Sequence, residues 1–278
     1  MTLDEDHPDR LASLRELAIN YYQTDGRIKE AIALLEQVVQ IEARIIAEDH
    51  PGRLMSQYTL AVAYRDNGQV EEAIALLEQV VAVEAQTLAK DHPGRLTSQH
   101  QLARAYHANG QLDEAITLLE QVVAIREQTL DEDHPDRLAS LRELAINYYQ
   151  TDGRIKEAIA LLEQVVQIEA RIIAEDHPGR LMSQYTLAVA YRDNGQVEEA
   201  IALLEQVVAI EAQTLAEDDP NRLDSQYELA VAYQADGQVK KAIALFEQVV
   251  SIRERNLAEN DPDLLASQQW LASLLEAD

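Results

Sequence analysis

Along most of the chain, apolar residues return every three or four positions, give way to a few polar ones, and start again. Between Pro51 and His92, Leu54, Leu60, Ala61 and Tyr64 stand at helical spacing, Asn67-Gly68 interrupts them, and Val70, Ala73, Leu76, Leu77, Val80, Val81 and Leu88 resume it. The pattern predicts a helix over roughly 52–66, a turn, and a second helix over about 70–89, some 30 Å long at 1.5 Å per residue. Asp91-His92-Pro93 closes the second helix, because proline can open a helix but cannot continue one.

This hairpin pattern repeats along the whole chain. Pro8, Pro51, Pro93, Pro135, Pro178, Pro220 and Pro262 mark a period of 42 or 43 residues, and the stretch Thr2–Ala82 recurs unchanged as Thr129–Ala209. Gly26, Gly68, Gly110, Gly153, Gly195 and Gly237 share one column, so the breakers fall in two turns per repeat. Such an array buries its core between neighbours, which predicts one repeat domain over 1–278. Its repeats span approximately 8–50, 51–92, 93–134, 135–177, 178–219 and 220–261, with a terminal helix over 262–278. The columns Leu17/Leu60/Leu102, the alanine after each, and the tyrosine three residues later are expected in the core. So is the second-helix alanine (Ala31, Ala73, Ala115), whose short side chain lets helix backbones approach to about 8–10 Å.

Leu60-Ala61-x-x-Tyr64, then Gly68, then Ala73 resembles the tetratricopeptide repeat, whose usual period is about 34 residues. The extra residues lengthen the second helix by about two turns. With the His-Pro punctuation of Asp49-His50-Pro51 and Asp133-His134-Pro135, the repeat is similar to the longer variety of kinesin light chains and of the sensor arrays of nucleotide-binding immune-type receptors. The resemblance implies an all-α, right-handed α-solenoid, a superhelix of six helical hairpins plus a C-terminal helix. It also implies a protein- or peptide-binding scaffold rather than an enzyme, and suggests the recognition segment of a larger receptor. A structural or engineered array without a ligand is the alternative. The repeats starting at Pro8 and Pro135 carry one extra turn residue, and the columns that would form a chaperone-type carboxylate clamp hold Arg15, Ile19, Tyr58 and Val62, which sets that ligand class aside.

Charge narrows the partners. Fifty acidic residues against 23 basic ones give a net charge of −27, which opposes nucleic acid and anionic membrane. There is no cysteine for a disulfide or thiolate metal site, no apolar run near the ~20 residues of a membrane span, and no signal-peptide pattern. A soluble, cytoplasmic protein is expected.

In the resembled fold the first helices line a concave wall. A helical wheel sets Ala12, Arg15, Ile19 and Tyr22 opposite the buried Leu17, Ala18 and Tyr21. Carried along the array, that stripe reads Met55, Tyr58, Val62 and Arg65; Thr97, His100, Arg104 and His107; Ala139, Arg142, Ile146 and Tyr149; Met182, Tyr185, Val189 and Arg192; Asp224, Tyr227, Val231 and Gln234. Five arginines against one aspartate, on so acidic a chain, point to a groove for an acidic or mixed polar and aromatic peptide, since arginine and tyrosine are frequent anchors. Arg15, Tyr22, Tyr58, Val62, Arg65, His100, Arg104, His107, Arg142, Tyr149, Tyr185, Arg192 and Tyr227 are the candidate contacts. The other reading is that these arginines pair with acids such as Asp66 and Asp193.

Outside the stripe, the row Arg10, Arg53, Arg95, Arg137, Arg180 and Arg222 is expected to pair with second-helix acids, and the column Glu36, Glu78, Glu120, Glu163, Glu205 and Glu247 to be a solvated face. His7, His50, His92, His134 and His177 are read as turn residues too far apart to share a metal. No phosphate loop or nucleophile motif appears, so no catalytic, cofactor or metal residues are expected. Thr2–His7 matches Thr129–His134, which suggests a chain cut from a longer array with Met1 supplied for expression. The terminal helix carries Leu264, Leu265, Trp270, Leu271, Leu274 and Leu275, a surface expected to drive end-to-end association.

Overall fold

The computed structural model describes residues 4, 6–24 and 26–276, so Asp25 and, of the tail expected over Thr2–His7, Thr2, Leu3 and Glu5 lie outside the described residues. The described residues form 13 helices and no strand. In chain order these are α1 (Pro8–Tyr22), α2 (Ile28–Ile45), α3 (Pro51–Asp66), α4 (Val70–Thr87), α5 (Pro93–Ala108), α6 (Leu112–Thr129), α7 (Pro135–Gln150), α8 (Ile155–Ile172), α9 (Pro178–Asp193), α10 (Val197–Thr214), α11 (Pro220–Ala235), α12 (Val239–Asn256) and α13 (Pro262–Leu275). Successive helices pair as hairpins, as the spacing predicts, and they gather into two compact units, residues 1–143 and 144–278. None of the described helices is long and apolar enough to cross a membrane.

Each boundary proline sits at the first position of its helix, where its missing N–H costs nothing. The residue before it is the N-cap. His7, His50, His92, His134 and His177 each accept a hydrogen bond at Nδ1 from the backbone N–H two residues on, at 3.0–3.2 Å. Asp219 and Asp261 do the same with a carboxylate oxygen. The turn histidines are therefore capping acceptors. We expect His50→Ala to lower stability by about 1 kcal/mol and His50→Asp to hold or raise it, read from urea midpoints.

The arginine that follows each proline by two residues departs from the acid ladder expected of it. Arg53, Arg95, Arg180 and Arg222 donate to the carbonyls of Ile46, Leu88, Ile173 and Leu215, the C-cap residues that directly follow the preceding second helix. Those carbonyls have no partner within their own helix and carry the negative end of its dipole, so a guanidinium suits them. Arg137 bonds Leu130 in the same way and also lies 3.9 Å from Glu127.

The glutamate column is likewise not merely solvated. The Tyr64, Tyr106, Tyr191 and Tyr233 hydroxyls donate to Glu36, Glu78, Glu163 and Glu205 of the preceding hairpin at 2.6–2.8 Å. Burial and the adjacent carboxylate push the Tyr106, Tyr191 and Tyr233 phenols up to about 12. We expect Tyr106→Phe to cost about 0.5–1 kcal/mol, and a Tyr106→Phe/Glu78→Gln double-mutant cycle to show that the two losses overlap.

Turns come in two lengths. After α3, Gly68 adopts φ +82°, its N–H bonds Arg65 and the Gln69 N–H bonds Tyr64, a left-handed helix end that only glycine takes without strain. In the longer turn after α1, Thr24 N–H bonds Tyr21 and Arg27 N–H bonds Thr24, and the Arg27 guanidinium lies 3.5 Å over the Tyr21 ring. The following second helix has 18 residues in either case.

Core packing follows the predicted columns. In the first unit, fully buried Ala18 and Ala31 bring α1 and α2 together, and Leu35, Leu60 and Ala63 fill the step to α3. Leu17 is 39 % exposed, against 3 % for Leu60, because no second helix lies over it among the described residues. In the second unit Phe246 is fully buried, edge-on to Tyr227 and stacked on Trp270. Trp270 and buried Leu264 and Leu274 thus seat α13 on α12, and Leu265 and Leu275 remain exposed.

Candidate functional site

The first-helix stripe keeps twelve of its thirteen candidate contacts at least partly exposed; His100 is buried. Few of these side chains are idle. Arg65 pairs with Asp66 at 2.8 Å and donates to Gln101; Arg104 lies 3.6 Å from Glu143; Arg192 pairs with Asp193 and Glu228. Tyr22 donates to Asp66, and Tyr149 to Asp193 at 2.5 Å, which, with burial, raises both phenols. Arg65, Arg104 and Arg192, which made the stripe look basic, thus meet carboxylates on the same or the neighbouring first helix. Tyr58, Tyr185 and Tyr227 remain as half-buried aromatic surfaces, with Met55 and Met182 exposed beside the first two.

Beneath the stripe runs a polar column that the sequence reading passed over. Glu42, Glu84, Arg126, Glu169, Glu211 and Arg253, one per second helix, are each less than 9 % exposed. Facing them are the buried serines Ser56, Ser98, Ser140, Ser183, Ser225 and Ser267 on the next first helix. The sequence signal was present: a charged residue fixed directly after an isoleucine or valine, and a serine fixed four residues before the core leucine.

Where a cation occupies this column its contacts are the same each time. Arg126 Nη1 donates to the Asp136 carbonyl at 2.8 Å and to Ser140 Oγ. Arg253 Nη1 donates to the Asp263 carbonyl at 2.9 Å and Ser267 Oγ at 2.7 Å, while its Nη2 pairs with Asp224 at 2.6 Å. In the first hairpin the column holds Glu42, and the guanidinium arrives from the stripe instead. Arg15 Nη1 donates to the Gly52 carbonyl and Ser56 Oγ at 3.2 and 3.1 Å and lies 4.0 Å from Glu42. His100 takes the position of Arg15 in the third hairpin, with Nδ1 3.3 Å from Ser140 Oγ. Burial, reinforced by Arg126, Arg104 and Arg65, pushes its imidazole down to about 3, so it is neutral.

Tyr58 and Tyr185 take that position in the second and fifth hairpins, beside Glu84 and Glu211, whose Oε2 atoms have no hydrogen-bond partner. The Glu211 carboxyl is pushed up to about 7, by burial first, with Asp219 and Asp224 adding to the rise and Ser225 and Arg222 opposing it. Glu211 lines a cavity of about 350 Å³ between α9, α10 and α11, walled by Leu181, Met182, Tyr185, Asp224 and Ser225. Among the described residues no group of three metal-ligating side chains could hold an ion.

Comparison with known proteins places this architecture. Tetratricopeptide-repeat family models match residues 52–128, 94–171, 147–213 and 179–255, and a further tetratricopeptide-repeat model matches 10–52. No curated protein sequence matches. Among solved structures, the nearly identical tetratricopeptide-like repeats of a Podospora anserina protein assigned as a kinesin light chain are 58 % identical, covering 75 % of this chain and 98 % of that one, with a TM-score of 0.65. BtubC from P. vanneervenii is 23 % identical over 85 % of this chain and 96 % of its own, TM-score 0.69. A signal-transduction ATPase with a tetratricopeptide-repeat sensor from Pyrococcus horikoshii is 15 % identical over 95 % of this chain and 37 % of that chain, TM-score 0.64. The last two share the fold.

Proposed function

Because this chain belongs to the tetratricopeptide-repeat family, a family of scaffolds for protein interaction, we propose that it is a cytoplasmic protein- or peptide-binding array. Its working surface is the first-helix stripe, from Arg15 and Tyr22 through Tyr58, Arg65, Arg104, Tyr149, Tyr185 and Arg192 to Tyr227. The observation that carries this reading is the state of the aromatic residues. Tyr58, Tyr185 and Tyr227 stand half-exposed while the arginines near them are held by carboxylates, so little ordering remains to oppose binding. The unchanged recurrence of Thr2–Ala82 as Thr129–Ala209 supports the narrower proposal that the array is the recognition segment of a larger nucleotide-binding receptor.

The test is capture from an extract of the source organism with the parent chain and with a Tyr58→Ala, Arg65→Ala, Arg104→Ala, Tyr185→Ala variant of unchanged helicity. A partner held by the parent and lost by the variant supports the stripe; equal capture by both places recognition elsewhere, and empty lanes favour the structural array. A gene encoding no nucleotide-binding domain upstream would overturn the receptor proposal. Exposed Leu265 and Leu275 on α13 favour end-to-end association as the structural alternative, for which light scattering should show mass rising with concentration and a Leu265→Lys/Leu275→Lys variant staying at one chain.

A further inference from the structure

The chain shows what its own polar socket is built to hold. In the first, third and sixth hairpins a guanidinium lies between a first-turn backbone carbonyl and a buried serine hydroxyl, supplied by Arg15, Arg126 and Arg253. The fifth hairpin has the same frame. Ser225 Oγ is in place, Asn221 occupies the position of Gly52, Asp136 and Asp263, and Glu211 occupies that of Glu42, the acid partner of Arg15. The cation is missing, because Tyr185 stands where the first hairpin has Arg15. A cavity of about 350 Å³ opens there instead, its lining includes three carboxylates and no basic side chain, and one of the three is Glu211, 4 % exposed and with an Oε2 that has no hydrogen-bond partner.

We propose that this cavity is a docking socket for a guanidinium group, the side chain of an arginine on a bound peptide or protein partner. The planar fork matches the carbonyl, serine and carboxylate acceptors, as the chain's own arginines demonstrate. The exposed Met182 and the Tyr185 ring flank the entrance and would cover the methylene stem, much as the Arg253 guanidinium lies 5.6 Å from the ring of Tyr227, the next tyrosine of that column. Asp224 at the mouth is half-committed to Arg253 and adds negative potential. The second hairpin is a natural control, with Glu84 and Ser98 in the same places but Thr97 where the fifth has Asp224.

This inference rests on the interaction-scaffold reading and adds the ligand's chemistry. It carries a proton signature. Glu211 is faced by Asp219, Arg222 and Asp224 from α11 and its cap, by Tyr185 from α9 and by Asp176 from the preceding loop. With its carboxyl near 7 in the free protein, cation binding requires ionisation, so affinity should fall roughly 30-fold from pH 8 to pH 5.5.

The experiment is a nuclear magnetic resonance titration of the full chain with acetyl-arginine methylamide, its lysine and citrulline counterparts, and free arginine. The arginine amide is expected to shift Ser225 and Asn221, to bind at least tenfold more tightly than the citrulline and lysine amides, and to show the stated pH dependence. Glu211→Arg, which installs what the sixth hairpin already has, should fold and lose this binding; Glu211→Gln should weaken it and flatten the pH profile. Equal binding of arginine and citrulline amides, equal binding of the lysine amide, or binding that survives Glu211→Arg overturns the proposal. Tighter binding of free arginine than of the blocked amide overturns the partner as its source. A stripe-dependent partner that still binds the Glu211→Arg variant at parental strength would sink the socket and leave the scaffold standing.

Discussion

Replacing Phe246 with alanine is expected to lower stability by about 3–5 kcal/mol, read from the urea midpoint. Phe246 has no exposed surface, and its ring lies 5.6 Å from Tyr227 and 6.4 Å from Trp270. Truncation would therefore remove the aromatic contacts and leave a cavity under α13 at the same time. The other second helices carry leucine in this column, at Leu35, Leu77, Leu119, Leu162 and Leu204, all fully buried. Phe246→Leu should accordingly cost only about 1 kcal/mol, with loss of Trp270 fluorescence anisotropy as the local readout. Equal losses for the two variants would show that the ring pair, rather than the filled volume, holds α13.

The second large effect concerns pH. Glu211 loses its proton near pH 4.5 in the unfolded chain and near 7 in the folded one. Between those values the folded state keeps a proton that the unfolded state has released, so raising the pH stabilises the unfolded chain relative to the folded. The contribution of this carboxyl is fully present below pH 4.5, is lost as pH rises to 7, and amounts to on the order of 2–3 kcal/mol. Glu211→Gln, which mimics the neutral acid, should match the parent at pH 4.5 and exceed it by about that amount at pH 8. Glu42 and Glu84 are raised by burial in the same direction, so the variant should retain part of the parent's slope. A stability difference independent of pH would contradict an uncharged Glu211.

The array was legible in the sequence because its period is written in prolines and glycines, and because each core column repeats Leu60, Ala61, Tyr64 or Ala73 in nearly the same chemistry. The helix ends fall where Pro51 and Gly68 put them. Partners across hairpins were not legible. The acceptors of Arg53 and Arg180 are backbone carbonyls, which no side-chain pattern announces. The acid of Tyr64 lies 28 residues back, a separation that means nothing until two helices stand side by side. Twelve of the thirteen stripe positions are at least partly exposed, and of the two readings of its arginines the structure shows the pairing with Asp66 and Asp193, to which Glu143 and Glu228 add partners 36 or more residues away that no local pattern announces. The buried Glu42-to-Arg253 column was overlooked because charged residues on a helix default to the solvent side.

The two turn lengths bear on how such an array can change. The longer turn absorbs its extra residue between Tyr21 and Arg27, and the next helix begins in the same phase, with the same alanine against the same leucine. A one-residue slip thus ends inside the turn instead of rotating everything after it. Genetic exchange between repeats of unequal length, which identical stretches such as Thr2–Ala82 and Thr129–Ala209 invite, would then yield chains whose interfaces still fit. Surface residues could be shuffled by recombination while the packing code is inherited intact.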